Sequence, residues 1–213
     1  MRSADESTII RILLVLLVIF LVVIKVNPII SIAILALAFI MDGVDGYLAL
    51  REQSKGKVTL SSYISYALGD KKEAKKIKAY KEGIEKTAKY GPRFDVAADR
   101  ITEYSFWAAF TVFGIVPLFV FIIVIIRHSL TDAFIGAKGT SSKMTTGLAK
   151  ALYSSNISRA AINVLKFVTF SYMILVYVSA FPIIIAYVLI SPLVLFIVAR
   201  GIAEINESLK TNK

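Results

Sequence analysis

The chain has 213 residues, 57% of them hydrophobic, and a net charge of +10. Its mean hydropathy of +0.72 is too high for a soluble domain and points to an integral membrane protein. Cysteine is absent, which excludes disulfides, thiolate metal sites and cysteine nucleophiles; the single histidine, His128, argues against a histidine-ligated metal centre. The basic residues lie beside apolar runs, where they suit cytoplasmic loops and anionic headgroups, and no nucleic-acid partner is expected.

Residues 1–7 are a short polar lead. A first span is expected over 8–24, with Arg11 near its start and Lys25 at its end, and the lack of a small-residue cleavage site argues against a removed signal peptide. Asn27-Pro28 breaks the helix before a second span from about 29 to 50. Residues 52–90 form a polar insertion; from 51 to 90 there are eleven Lys or Arg against five acids. Asp70 can cap a helix of about 71–88, with Ile77, Tyr80 and Ile84 at helical spacing. That helix reads either as a solvated surface element or as a basic helix on the headgroups. Residues 58–68 fit strand and helix equally.

Pro92 suits the first turn of a third helix that continues to about Phe113. Gly114 and Pro117 mark a turn, and a fourth span runs to Ile126. Arg127-His128 opens a polar loop reaching about residue 157, His128 reading as an interface residue. A fifth span covers roughly 160–179, Phe181-Pro182 turns the chain, and a sixth covers about 183–199 before Arg200 and a polar tail. The expectation is an all-α integral membrane protein: one membrane domain over 1–213, six transmembrane helices, and 52–90 as a basic, partly helical cytoplasmic insertion between helices two and three. The basic segments all fall on one side, so both termini face the cytoplasm.

Four acids stand out. Asp42 and Asp45 are spaced i,i+3, and Asp95 and Asp99 i,i+4, so each pair shares a helix face. At about 1.5 Å per residue, Asp42 lies roughly 13 Å from Arg51, below the interface but within its reach. Ionised acids in or against apolar segments need a cation, and hard divalent metals suit carboxylates. Gly43, Gly46 and Gly91 let a ligand or a helix approach closely. Aspartates bridging two metals serve phosphoryl transfer, and one left free can take a proton from an attacking hydroxyl. A single such Asp would need no more than a neighbouring helix; four at these spacings are hard to explain structurally.

The pattern resembles the CDP-alcohol phosphotransferase family, of the phosphatidylinositol-phosphate, archaetidylinositol-phosphate and phosphatidylglycerophosphate synthase kind. Its signature is Asp-x2-Asp-Gly-x2-Ala-Arg-x8-Gly-x3-Asp-x3-Asp. Asp42, Asp45, Gly46 and Ala49, then Gly91, Asp95 and Asp99, match with local spacings intact. Two features depart from it: the arginine is displaced by one to Arg51, and 39 residues separate Arg51 from Gly91. The resemblance implies that Asp42, Asp45, Asp95 and Asp99 hold two divalent cations, Mg²⁺ or Mn²⁺, with Asp99 as general base. It implies that Asp42, Gly46, Ala49, Arg51, Gly91 and Asp95 meet the CDP moiety of a CDP-lipid donor. A small hydroxyl-bearing acceptor, release of CMP and a homodimer follow from it as well.

The acceptor is expected to be a phosphorylated polyol such as inositol phosphate or glycerol phosphate. Lys143, Arg159 and Arg200 are candidates for its phosphate, since arginine forks suit phosphate bidentately, although each alone also reads as a cation snorkelling to the headgroups. Serine or a free polyol is the alternative within the same chemistry. A cation transporter with intramembrane aspartates is the rival of another class; it predicts acids spread along a path, whereas these cluster. A membrane adaptor using 52–90 as its binding element leaves the four acids unexplained.

Overall fold

The computed structural model describes residues 3–87, 91–135 and 156–211, and all regular structure among them is helical. The helices are α1 (Ser3–Val23), α2 (Pro28–Gln53), α3 (Leu60–Ala67), α4 (Lys71–Thr87), α5 (Gly91–Val112), α6 (Leu118–Ile135), α7 (Asn156–Ser179) and α8 (Ile183–Thr211). Among the described residues, four segments are long and apolar enough to cross a membrane: α1, α2, residues 158–179 of α7 and Ile183–Lys210 of α8. An integral membrane protein is thus indicated. α5 carries five charged residues between 91 and 103, which sets it apart from those four.

Two compact units are distinguished. The first comprises Met1–Leu21 and Ile32–Glu103, the second Val22–Ser31 and Tyr104–Lys213. In the first, α1 buries one stripe at three- and four-residue steps: Ser7, Thr8, Arg11, Val15 and Val18. The stripe is polar toward its N-terminal end and valine beyond, while Leu13, Leu17 and Phe20 point outward, an apolar surface suited to lipid. At the far end of α2, Leu50 packs with Val58 and Ile77, bordered by Tyr63, Tyr66 and Tyr80. This small core folds the α3–α4 hairpin back onto α2. Residues 58–68, ambiguous in sequence, become helical because Thr59 caps α3 by accepting from Ser62 N–H, and Asp70 accepts from Lys72 and Glu73 to start α4 as expected.

In the second unit, Asn27 accepts from Ile29 N–H at 2.9 Å and Pro28 opens α2, which is the break read in the sequence. α8 packs against both α6 and α7. Phe106 and Trp107 of α5 meet Phe170 of α7, stacked at 4.9 Å and edge-on at 5.6 Å, so this aromatic set is interior packing.

Two helix ends differ from expectation. α6 does not stop at Ile126, and α8 does not stop at residue 199. The cause is mutual support. Arg127 donates to the Ile197 carbonyl and to Glu204, each at 3.0 Å, and Ser208 donates to the Phe134 carbonyl at 2.8 Å. His128 is buried, accepting from Arg127 at Nδ1 with Tyr104 edge-on to its ring, so it is an interior residue in this unit. Polar residues that read as loop are therefore the inner face of a helix pair.

Candidate active site

The site lies within the first unit, where α1, α2 and α5 each contribute. Asp42, Asp45, Gly46 and Ala49 share one face of α2, and Asp95 and Asp99 one face of α5, which Gly91 opens. The carboxylate oxygens of Asp42, Asp45 and Asp95 lie within 4.8 Å of one another. Asp45 is buried, accepting from its neighbour Gly46 N–H at 2.7 Å and from the Thr8 hydroxyl at 3.3 Å. Asp42 is partly exposed, and Asp95 and Asp99 are about half-exposed, so the cluster is closed toward α1 and open on the side of α5.

At the centre stands Arg11, a residue that the motif reading passed over. Its side chain is 3% exposed. One terminal nitrogen contacts Asp42 directly, lies 3.0 Å from Asp99 and 3.9 Å from Asp45; the other donates to Asp95 at 3.2 Å. All four aspartates thus gather around one guanidinium. Its Nε has no partner among the described residues. The signal was present in the sequence: Arg11 is the sole charge within 8–24, and an ionisable group there must find a counter-charge. Thr8, one turn earlier, belongs to the same polar stripe.

Four carboxylates gathered on one guanidinium offer more oxygen donors, and more negative charge when ionised, than that one cation can offset. The donors are all hard oxygens, and cations with oxygen ligands at about 2.0–2.6 Å fit a group of this spread. The chemistry of the donor set therefore fits divalent cations. Gly46 lets α3 close in: a Cβ there would stand 2.9 Å from the Tyr63 hydroxyl. Arg51 lies nine residues from Asp42, about two and a half turns, so it points from the opposite face of α2 and is exposed. The structure does not bring Arg51 to the acids.

Residues 1–56 match the CDP-alcohol phosphatidyltransferase family model. The match takes in α1 with Thr8 and Arg11 and all of α2 with Asp42, Asp45, Gly46 and Ala49. That family's chemistry is phosphatidyl transfer from a CDP-alcohol donor to an alcohol acceptor. Comparison with curated proteins and with solved structures returns no match. Of the candidates for the acceptor phosphate, Arg159 on α7 and Arg200 on α8 are both half-buried in the second unit, and Lys143 lies outside the described residues.

Proposed function

We propose that this protein is a membrane-embedded transferase that moves a phosphatidyl-type group, built on diacylglycerol or archaeol, from a CDP-lipid to the hydroxyl of a small alcohol. The acceptor assigned is a phosphorylated polyol such as inositol phosphate or glycerol phosphate. The observation that carries the reading is the gathering of four aspartates from two helices around Arg11, with the family match over the helices that bear Arg11, Asp42 and Asp45.

In this reading Asp42, Asp45, Asp95 and Asp99 hold two divalent cations, Mg²⁺ or Mn²⁺. When bound, these would neutralise the pyrophosphate and the charge developing on the leaving group. Asp99, about half open, accepts the proton of the acceptor hydroxyl. The freed oxygen attacks the lipid-side phosphorus, the bond from that phosphorus to the oxygen of CMP breaks, and CMP leaves with the electron pair. Gly46, Ala49 and Gly91 sit against the nucleotide, the Tyr63 hydroxyl that fills the space at Gly46 moving aside to admit it, and Arg51 meets it only by rotating α2 or its own side chain. Arg159 and Arg200 supply forks for the acceptor phosphate, joined by Lys143. Thr8 and Gly46 N–H orient Asp45.

We place six spans in the cell membrane, α5 and α6 among them, with the termini, the 52–90 insertion and the acids on the cytoplasmic side. The distribution of Lys and Arg supports this orientation, and the family resemblance supports a homodimer. CMP or CDP is expected to raise the unfolding temperature only when Mg²⁺ or Mn²⁺ is present. A ligand at a hundredfold excess over its Kd stabilises by about 2.7 kcal/mol. Protection that is absent, or equal with and without metal, would contradict the assignment.

A further inference from the structure

The sequence reads α4, with Ile77, Tyr80 and Ile84 at helical spacing, as a solvated surface element or a basic helix on the headgroups. The structure turns Ile77 and Tyr80 inward. Ile77 is buried against Leu50 and Val58, with Tyr80 beside them. The exposed apolar stripe belongs instead to α3 and the residue that caps its C-terminus, at Leu60, Ile64 and Leu68, which are 56%, 49% and 83% exposed. These residues are spaced by four and lie on one side of the helix. On another side Tyr63 and Tyr66 face the protein, Tyr63 ringed by Tyr47 at 5.7 Å with its hydroxyl against Gly46.

Geometry places this stripe at a membrane surface. About twenty residues suffice to cross a bilayer, and counted from Pro28 they reach Tyr47. Leu50, on which the hairpin packs, therefore lies at the headgroup level, and α3 begins seven residues after α2 ends. Charge agrees. Lys55 and Lys57, in the turn that leads into α3, are exposed, and anionic headgroups complement them.

We propose that α3 is an interfacial foot: Leu60, Ile64 and Leu68 sit in the headgroup–acyl boundary of the bilayer that α2 crosses, while Tyr63 on the other side rests on Gly46. The occupant of the exposed stripe is the bilayer itself, and the flanking lysines meet its anionic lipids. The foot holds the end of α2 that carries Asp42 and Asp45 at a fixed depth, and it ties donor-site geometry to the membrane surface. This rests on the reading of α2 as a transmembrane helix.

The test uses the full chain in vesicles of phosphatidylcholine and phosphatidylglycerol. Cysteine is absent from the sequence, so Ile64→Cys, Lys78→Cys and Ile40→Cys each carry one thiol for an environment-sensitive fluorophore. The Ile64 probe is expected to lose most of its emission to a shallow nitroxide lipid and almost none to aqueous iodide, with the reverse at Lys78. Ile40, exposed in the middle of α2, is the lipid control. An Ile64 probe quenched by iodide while Ile40 reports lipid overturns the foot and leaves the transmembrane reading intact. An Ile64 probe shielded from both quenchers overturns it in favour of a protein occupant. Failure of lipid quenching at Ile40 overturns the transmembrane reading itself, and the foot with it.

Discussion

Replacing Arg11 by glutamine separates a counter-ion from a bystander. The guanidinium is almost wholly buried and is the cation that the structure sets against Asp42, Asp45, Asp95 and Asp99. Removing one partner of a buried ion pair costs about 3–5 kcal/mol. The low end applies here, because Asp95 and Asp99 are 52% and 50% exposed and keep much of their hydration. At roughly 2–4 °C per kcal/mol for a chain of this length, a cost of about 3 kcal/mol lowers the metal-free unfolding temperature by about 6–12 °C. Under the proposed two-cation site, divalent cations would take over the lost charge. Mg²⁺ or Mn²⁺ is therefore expected to raise the unfolding temperature more in Arg11→Gln than in the wild type. The assay is thermal unfolding in detergent with chelator, then with each cation. An unchanged metal-free transition in Arg11→Gln would refute the role given to the guanidinium; a variant that is destabilised but gains no extra benefit from metal would refute the shared site.

Four further outcomes follow from named contacts. Thr8→Val keeps the volume but removes the hydroxyl that orients Asp45, and Mn²⁺ titration is expected to show affinity falling about 10- to 100-fold. Gly201→Ala would put a Cβ 2.7 Å from Arg127 Cγ and 2.8 Å from its Nε; displacing that side chain from Ile197 and Glu204 should cost about 1–3 kcal/mol in thermal unfolding. Trp107→Ala empties a fully buried site against Phe170 and is expected to cost about 3 kcal/mol or more by the same assay. Arg200→Gln should raise the KM for a phosphorylated acceptor about tenfold or more without changing donor affinity, since hydrogen bonds to charged groups contribute about 1.5–3 kcal/mol; an unchanged KM removes Arg200 from the acceptor pocket.

Local signals in the sequence located what local physics determines. Asn27-Pro28 broke α1 from α2, Asp70 capped α4, and the spacings of Asp42 with Asp45 and of Asp95 with Asp99 placed each pair on one face. The convergence of the two pairs was legible only as a need for a shared cation; the fold brings Asp42, Asp45 and Asp95 into one group. Arg11 was missed because its meaning is tertiary: one arginine in an apolar run gives no hint of which acids it meets. The extensions of α6 and α8 were missed for the same reason. Arg127, Thr131, Glu204 and Ser208 read as loop and tail residues until each is seen to satisfy a group on the neighbouring helix or on its own. Ile77 and Ile64 were equally apolar in sequence, and only the packing on Leu50 decides which of them faces the protein.

The most direct measurement of the central claim is CMP release from a CDP-lipid with Mg²⁺, offering inositol phosphate, glycerol 3-phosphate, free inositol and serine in turn, for the wild type and for Asp99→Asn. The account predicts release with a phosphorylated polyol, lost in Asp99→Asn and lost on chelation. Release only with serine or free inositol would contradict the acceptor assignment, and no release with any acceptor or cation would contradict the transferase itself.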